Sequence, residues 1–411
     1  MNVQTAPVAL FDNFWGTTLA FAKSLGQRGV PLHFYGNGAG RWSRYCARHS
    51  PCPPIGASDK FEPWLRDKIR SGEIARVAPT TDLLAYYVSK LRQEFAPEVR
   101  RTIAPLEEIE RCLIKTQFAS ASKISGQPTL TTLAPDDPAA IAECVAPLGF
   151  PVILKPKSHL VVGFEERGHL IENVAELLRR YRRYAVAPGQ EGMAMTYPEL
   201  RWPLLQRYVP SARNRVYSVS GIKDVDRGVL AATVSYKREQ WPPDVGVSTV
   251  QIGCEDARVL KAGLEVVNRI LSRGIFEIEL LADGEHLYAI DLNPRSFGFL
   301  ALDIARGVDL PWLWLCLTME NPSPPSMSAS SQPIEARHRL LSFRPVRLLR
   351  RLYDQGSSGR RSPIVDSESA GPRASVSMLG DWSDPLPMLI CHLHLLKHPR
   401  SLVRAPRAAR T

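Results

Sequence analysis

No C-x-x-C pair occurs in this chain. Its seven cysteines, at 46, 52, 112, 144, 254, 316 and 391, are scattered. That spacing argues against a structural zinc site or a disulfide framework and suits a reducing cytoplasm. Long apolar runs are missing too. LPWLWLCL from Leu310 and LPMLICHLHLL from Leu386 fall well short of the roughly 20 residues that span a bilayer, so no transmembrane segment is expected. The opening MNVQTAPVALF has no basic flank ahead of an apolar stretch, no signal peptide is read, and a cytoplasmic location is expected. No internal repeat is visible. G-x-G-x-x-G is also absent: YGNGAG, from Tyr35, neither matches it nor follows the first predicted strand, and reads as a plain turn.

What is present suits a multidomain globular protein. A chain of 411 residues is too long for one ordinary core, and 44% hydrophobic with 23% charged residues is a globular composition. The net charge of +11 is uneven: residues 321–411 hold 14 Lys/Arg against 6 Asp/Glu, or +8. A basic end can attract nucleic acid, anionic lipid or a polyphosphate, but it is more often a solvated face, so charge does not choose the function.

Short apolar runs alternate with helical patterns over residues 7–125. PVALF, VPLHFY and IARVAP read as strands, with helices over 17–27 (closed by Gly29) and 81–91. Strands separated by helices pair in parallel, which predicts a small doubly wound sheet. Helices are expected over 115–124 and 136–148, then the strand PVILK. Asn173 with Glu176 forms a capping box opening a helix through Tyr184. WPLLQRYV, RNRVYSVS and RGVLAATVSYKR read as strands, followed by a helix over 255–271 and two strands, IFEIELLA and HLYAIDLN, joined at a D-G turn. NPSPPSMSASSQP, QGSSGRRSP and SESAGPR are linker-like, too polar to offset chain entropy by burial.

Three segments carry chemistry. In residues 275–295, IFEIELLADGEHLYAIDLNPR, strand alternation puts Glu277 and Glu279 on one face, and Asp291 and Asn293 on one face of the return strand, with Ile290 and Leu292 opposite. All four share a side only if the loop holds an odd number of residues; Gly284 makes a three-residue loop plausible. Hard oxygens without His or Cys suit Mg²⁺ shared with phosphates, while the same alternation also describes a solvated charged face. GFPVILKP ends an apolar strand in Lys155, whose ammonium calls for an anion or reaches water at the strand end. PLLQRYVP is either a strap for a flat base or an edge strand ended by Pro210. Two further segments are discounted. His392, His394 and His398 lie in HLHLLKH, which reads as an amphipathic basic helix or tail rather than a metal site. RPVRLLRRL lacks the aromatic interleaving of a nucleic-acid binder.

The order of these segments resembles the ATP-grasp superfamily, and within it the carboxylate-amine ligases, over roughly residues 7–320. Lys115 comes first, then Lys155, QRYV, E-I-E and D-L-N-P-R, with PTTD at 79–82 in the preceding domain. The resemblance implies an N-terminal α/β domain over 1–112, a two-lobed ATP-grasp domain over 113–320 and a basic, partly irregular extension over 321–411. It implies a ligase that converts ATP to ADP and phosphate through an acyl phosphate. Lys115 and Lys155 would contact phosphates, and Gln206, Arg207, Tyr208 and Val209 would cover the adenine. Glu279, Asp291 and Asn293 would bind Mg²⁺ or Mn²⁺. Arg295 would face the acyl phosphate, and Lys237 and Arg238 would reach the γ-phosphate or substrate. The partners implied are a small-molecule carboxylate and an amine, with nucleic acid disfavoured and a homo-oligomer left open. A carboxylase-type acceptor and a non-enzymatic polyanion binder are the alternatives. Departures from the pattern are a loop after Lys155 that is not glycine-rich, no acidic residue in PSARNR, and Asp291 where Glu is commoner.

Overall fold

The computed structural model describes residues 6–11, 16–135, 141–158, 160–161, 168–181, 191–210, 215–241, 245–338, 374–380 and 382–397. Four strands come first: β1 (Val8–Phe11), β2 (Leu32–Tyr35), β3 (Cys46–Ser50) and β4 (Arg76–Val77). They pair in parallel in the order β3-β2-β1-β4. β1 is apolar throughout because both its faces are covered: Ala9 and Phe11 enter one core cluster, Val8 and Leu10 another. The helix Gly16–Gly26 is followed by a turn at Gly29, which holds φ +73°. Helix Asp82–Lys90 starts where the Thr81 hydroxyl accepts the Leu84 N–H at 3.2 Å. β3 and the helix Ser58–Arg70 escape the sequence pattern. β3 is a polar, largely exposed edge strand, and the helix carries Pro63 in its interior. YGNGAG is a turn, as expected, with Gly36 at φ +102°.

A second sheet is small and antiparallel: β5 (Thr132–Leu133), β6 (Val152–Lys155), β7 (His169–Ile171) and β8 (Leu204–Arg207), in the order β5-β8-β6-β7. It has its own core, in which Val152, Leu154 and Leu205 meet Ile141, Leu177 and Tyr181 of the covering helices. The helix Val174–Tyr181 is opened as expected, with the Asn173 side chain accepting the Glu176 N–H at 2.9 Å. Of the helix expected over 136–148, Ile141–Cys144 is seen and 136–140 lie outside the described residues.

The third sheet has seven strands: β9 (Val216–Asp224), β10 (Gly228–Trp241), β11 (Val247–Cys254), β12 (Gly274–Asp283), β13 (His286–Asn293), β14 (Ile334–Arg337) and β15 (Ala374–Ser377). Their order is β13-β12-β9-β10-β11-β14-β15, antiparallel except for the last pair. One face is apolar and packs on the helix Ala257–Ile270, whose N-cap Asp256 accepts the Val259 N–H at 3.0 Å. Gly263 lets that helix approach closely: a Cβ there would stand 2.7 Å from Val219 Cγ2. Val219, Ile278 and Leu292 join Ala9 and Phe11 of the first sheet in one contiguous cluster.

β14 and β15 come from the basic C-terminal region. Residues 321–333 before them run without helix or strand, whereas RPVRLLRRL, QGSSGRRSP and SESAGPR lie outside the described residues. The chain then passes so close to Gly16 that a Cβ there would overlap the Met378 carbonyl oxygen. HLHLLKH belongs to a helix, Pro385–Lys397, and the His392 ring bonds the Met388 carbonyl at 2.7 Å. All seven cysteines are free. Among the described residues no helix is long and apolar enough to cross a membrane.

Candidate active site

The β12–β13 hairpin brings the four polar residues together by a different route from the one expected. Its turn holds two residues, Gly284 and Glu285, since Asp283 pairs with His286. An even loop alone would put Asp291 and Asn293 on the core face. The missing residue of parity is a bulge: Leu280 pairs with Ala289 but Glu279 with Asp291, leaving Ile290 between them. Glu277 then faces Asn293, and Glu279 faces Asp291. Ile290, expected opposite the acids in the core, is half-buried on the wall of a crevice.

The polar face continues across neighbouring strands. Ser218 lies opposite Glu279 and Ser220 opposite Glu277, followed by Ser235 and Thr233. The helix Leu300–Ala305 covers part of this face, and Asp303 accepts the Ser220 hydroxyl at 2.6 Å. Burial pushes the Asp303 carboxyl up to about 7, against the Ser220 hydroxyl and Arg306. Burial and the adjacent Glu279 likewise raise Glu277. The side-chain oxygens Gln251 Oε1 and Asp303 Oδ1 are buried with no hydrogen-bond partner. Unsatisfied buried oxygens on one face call for a cation, a polar ligand or water.

Each expected metal ligand is engaged by a cationic side chain. Lys115 Nζ donates to Asp291 Oδ1 at 2.9 Å and Lys237 Nζ to Glu279 Oε1 at 2.7 Å. Asn293 donates to Glu277 Oε2 at 2.6 Å and accepts from Arg295 Nη2 at 2.9 Å. Arg295 is itself clamped by Asp82, with Nε to Oδ1 at 2.6 Å and Nη2 to Oδ2 at 3.2 Å. Burial works against the guanidinium charge, yet Asp82 holds its pKa above the ordinary value. The two loops are also fastened by Ser296, whose N–H and hydroxyl both donate to the Pro79 carbonyl at 2.9 Å. Among the described residues no three His, Cys, Asp or Glu side chains form a ready-made metal cluster; in this structure the charge of the acids is met by lysines.

Lys155 ends β6 across the crevice. Burial and the Lys115 ammonium bring its pKa down to about 7, against the pull of Asp291 and Glu279. Lys115, Phe118, Thr132, Lys155, Gln206 and Ile290 line the crevice, whose free volume is about 20 Å³. That holds one or two waters.

The strap is only partly as expected. Gln206 is buried and donates to Thr132 Oγ1 at 3.0 Å. β8 is paired on both sides, by β5 and β6, and the Arg207 N–H donates to the Thr131 carbonyl at 3.0 Å. Backbone through Arg207 is therefore taken up in the sheet. Tyr208 and Val209 follow beyond the last pair, half-buried, and the Arg207 residue is exposed. Arg238 also stands apart: it occupies a bulge in β10 and points to Glu335, 3.4 Å away, rather than joining Lys237. Lys157, two residues beyond Lys155, is buried with Nζ 3.4 Å from the Ala134 carbonyl.

Sequence reasoning marked PTTD without giving Asp82 a role, and it missed Thr132 and the serines of β9. RVYSVS has the same alternation as E-I-E, so Ser218 and Ser220 were findable. The pairing of Asp82 with Arg295 was not, because the two lie 213 positions apart.

These lobes, with the oxygen-bearing hairpin facing a lysine-tipped strand, make an ATP-grasp fold. Similar solved structures include biotin carboxylase from Campylobacter jejuni in a β-γ-ATP complex, at TM-score 0.59 and 16% identity over 80% of this chain and 75% of that one. L-amino acid ligase from Bacillus licheniformis matches at TM-score 0.56 and 13% identity over 78% and 77%. N5-carboxyaminoimidazole synthetase from Staphylococcus aureus, complexed with ADP, matches at 0.57 and 13% over 80% of each chain. At such identities the likeness is one of fold. No family model matches the chain, and no curated protein matches it.

Proposed function

We propose that the protein is an ATP-dependent carboxylate-amine ligase that binds Mg-ATP in the crevice between β6–β8 and the β12–β13 hairpin. One observation carries this reading: Lys115, Lys155 and Gln206 line a single crevice, beside acids already balanced by lysines. Such a site can exchange partners without a change in total charge. The lysines turn to phosphate oxygens while the carboxylates turn to a divalent cation. On this reading residues 1–112 form an N-terminal domain, 113–320 the ATP-grasp domain and 321–411 an extension that lends two strands to the large sheet.

The donor set fits a hard cation. Glu279, Asp291 and Asn293 would hold it, and Glu277 adds a buried carboxylate beside them; Mn²⁺ fits the same oxygens. Bound there, the ion would supply neutralisation of phosphate charge. Lys115 and Lys155 would hold the phosphates, with Lys155 kept protonated by them. Gln206 and the Tyr208–Val209 segment would flank the base, whereas exposed Arg207 and outward-turned Arg238 contribute less. Arg295, held in one orientation by Asp82 and Asn293, would meet the acyl phosphate, with Lys237 beside it.

In the reaction a substrate carboxylate oxygen bonds to the γ-phosphorus as the bond to the β-bridging oxygen breaks, releasing ADP. An amine nitrogen then bonds to the acyl carbon, phosphate leaves with the bonding pair, and the amine gives up a proton. Splitting the transfer replaces attack on an unactivated carboxylate by two easier steps. Because the crevice is narrow, nucleotide entry requires the small lobe to swing away, which its separate core permits.

The test is a thermal-shift titration with Mg-ATP followed by ADP release across panels of acids and amines. Release should need both an acid and an amine, and Glu279→Gln and Lys155→Met should abolish it while circular dichroism stays unchanged. Undiminished release in both variants overturns the assignment, and release driven by bicarbonate alone moves it to a carboxylase-type acceptor.

A further inference from the structure

The helix Pro385–Lys397 uses only one of its faces. Met388 and Cys391 are buried, Cys391 against Leu19, Ala39 and Leu379. Asp384, just before the helix, accepts the Ser43 hydroxyl and the Arg44 N–H, so the helix is anchored at its start. The other face is apolar and bare. Leu386, Leu389, Leu393 and Leu396 recur at helical spacing as one stripe, each between 44% and 56% exposed. Trp382 precedes the stripe at 69% exposure, and Trp42, 50% exposed, sits on the neighbouring turn. Ten large apolar side chains are exposed among the described residues. Six of them gather here, which makes a patch rather than scatter.

Charge selects the occupant. From Trp382 to the end the chain carries Lys397, Arg400, Arg404, Arg407 and Arg410 against Asp384 alone, which is engaged by Ser43 and Arg44. Beside the helix, the Arg41 guanidinium lies over the Trp42 ring, 5.4 Å from its centroid. A second copy of the chain would bring the same excess of positive charge to a symmetric contact. A lipid surface with anionic headgroups offers both complements, an apolar boundary layer for leucine and tryptophan and phosphates for arginine. At 13 residues the helix is too short to span a bilayer and long enough to lie along its surface.

We propose that this leucine–tryptophan stripe docks the protein on anionic membrane surfaces, with the basic residues after it supplying the electrostatic attraction. The docking is independent of the ligase reading.

The experiment is co-sedimentation of the full chain with phosphatidylcholine vesicles with and without phosphatidylserine, alongside sedimentation velocity without lipid. The wild type should pellet with phosphatidylserine vesicles and be released by salt. L389E combined with L393E should weaken that binding by about tenfold or more, with circular dichroism unchanged because both side chains are solvent-exposed. Absence of pelleting overturns the proposal. So does equal binding to both vesicle types, equal binding by the double variant, or a lipid-free dimer that the double variant dissociates.

Discussion

Lys155 shows how a single side chain can report on the whole site. Its ammonium titrates ordinarily near 10.5, and burial beside Lys115 brings that down to about 7 in the folded protein. Between those values the unfolded chain holds a proton that the folded chain has released, so this group makes stability rise with pH across the window. Its contribution is least favourable below pH 7, where a buried ammonium is enforced. In urea unfolding, Lys155→Met should therefore be more stable than wild type at and below about pH 7, and the two should converge near about pH 10. A constant difference across that range would contradict the burial of the ammonium. Phosphate changes the sign locally: a bound polyphosphate favours the protonated form, so the Mg-ATP thermal shift should grow as pH falls in wild type and stay flat in the variant. The strand-end lysine was legible in GFPVILKP; its lowered pKa was not, because the neighbours that cause it come from distant segments.

At the scale of elements, the sheet and its covering helix depend on small irregularities. The bulge at Ile290 compensates for a two-residue turn and so decides which face Asp291 and Asn293 occupy. Alternation in the sequence states that those two residues agree with each other. It does not count loop and bulge residues, which depend on the competing demands of the turn and the crevice wall. Gly263 is a second such point. Replacement by alanine would raise helix propensity by about 1 kcal/mol. The added Cβ, however, would meet Val219 Cγ2 at 2.7 Å, and overpacking costs about 1–3 kcal/mol. Gly263→Ala should thus be neutral to destabilising by about 2 kcal/mol, and Val219→Ala in the same chain should recover part of the loss. Chemical denaturation of the two single variants and the double measures this coupling directly.

Over the whole molecule, the first and third sheets share one apolar cluster, whereas the small lobe has its own. The small lobe should open independently. In hydrogen exchange, amides of β6 and β8 should exchange through a lower-energy opening than those of β9 and β12, and Mg-ATP should slow β6 and β8 most. Uniform exchange in all three sheets would contradict a hinged lobe. The Asp82–Arg295 clamp and the Ser296–Pro79 bonds belong to the other side of the expected hinge, so the hairpin should be held while the Lys155 strand moves.

The sequence by itself determined the type and order of most elements, since periodicity, the Asn173–Glu176 capping box and the glycine after the first helix are local signals. It also marked the E-I-E and D-L-N residues, because alternation places them on a face without any knowledge of the rest. Tertiary structure alone decided which cations meet those acids, that Arg238 turns away toward Glu335, that β8 is paired on both sides, and that strands from the C-terminal region complete the large sheet. Each of those outcomes rests on contacts between segments far apart in the chain, where side-chain charge and backbone pairing are settled by packing rather than by neighbours in sequence.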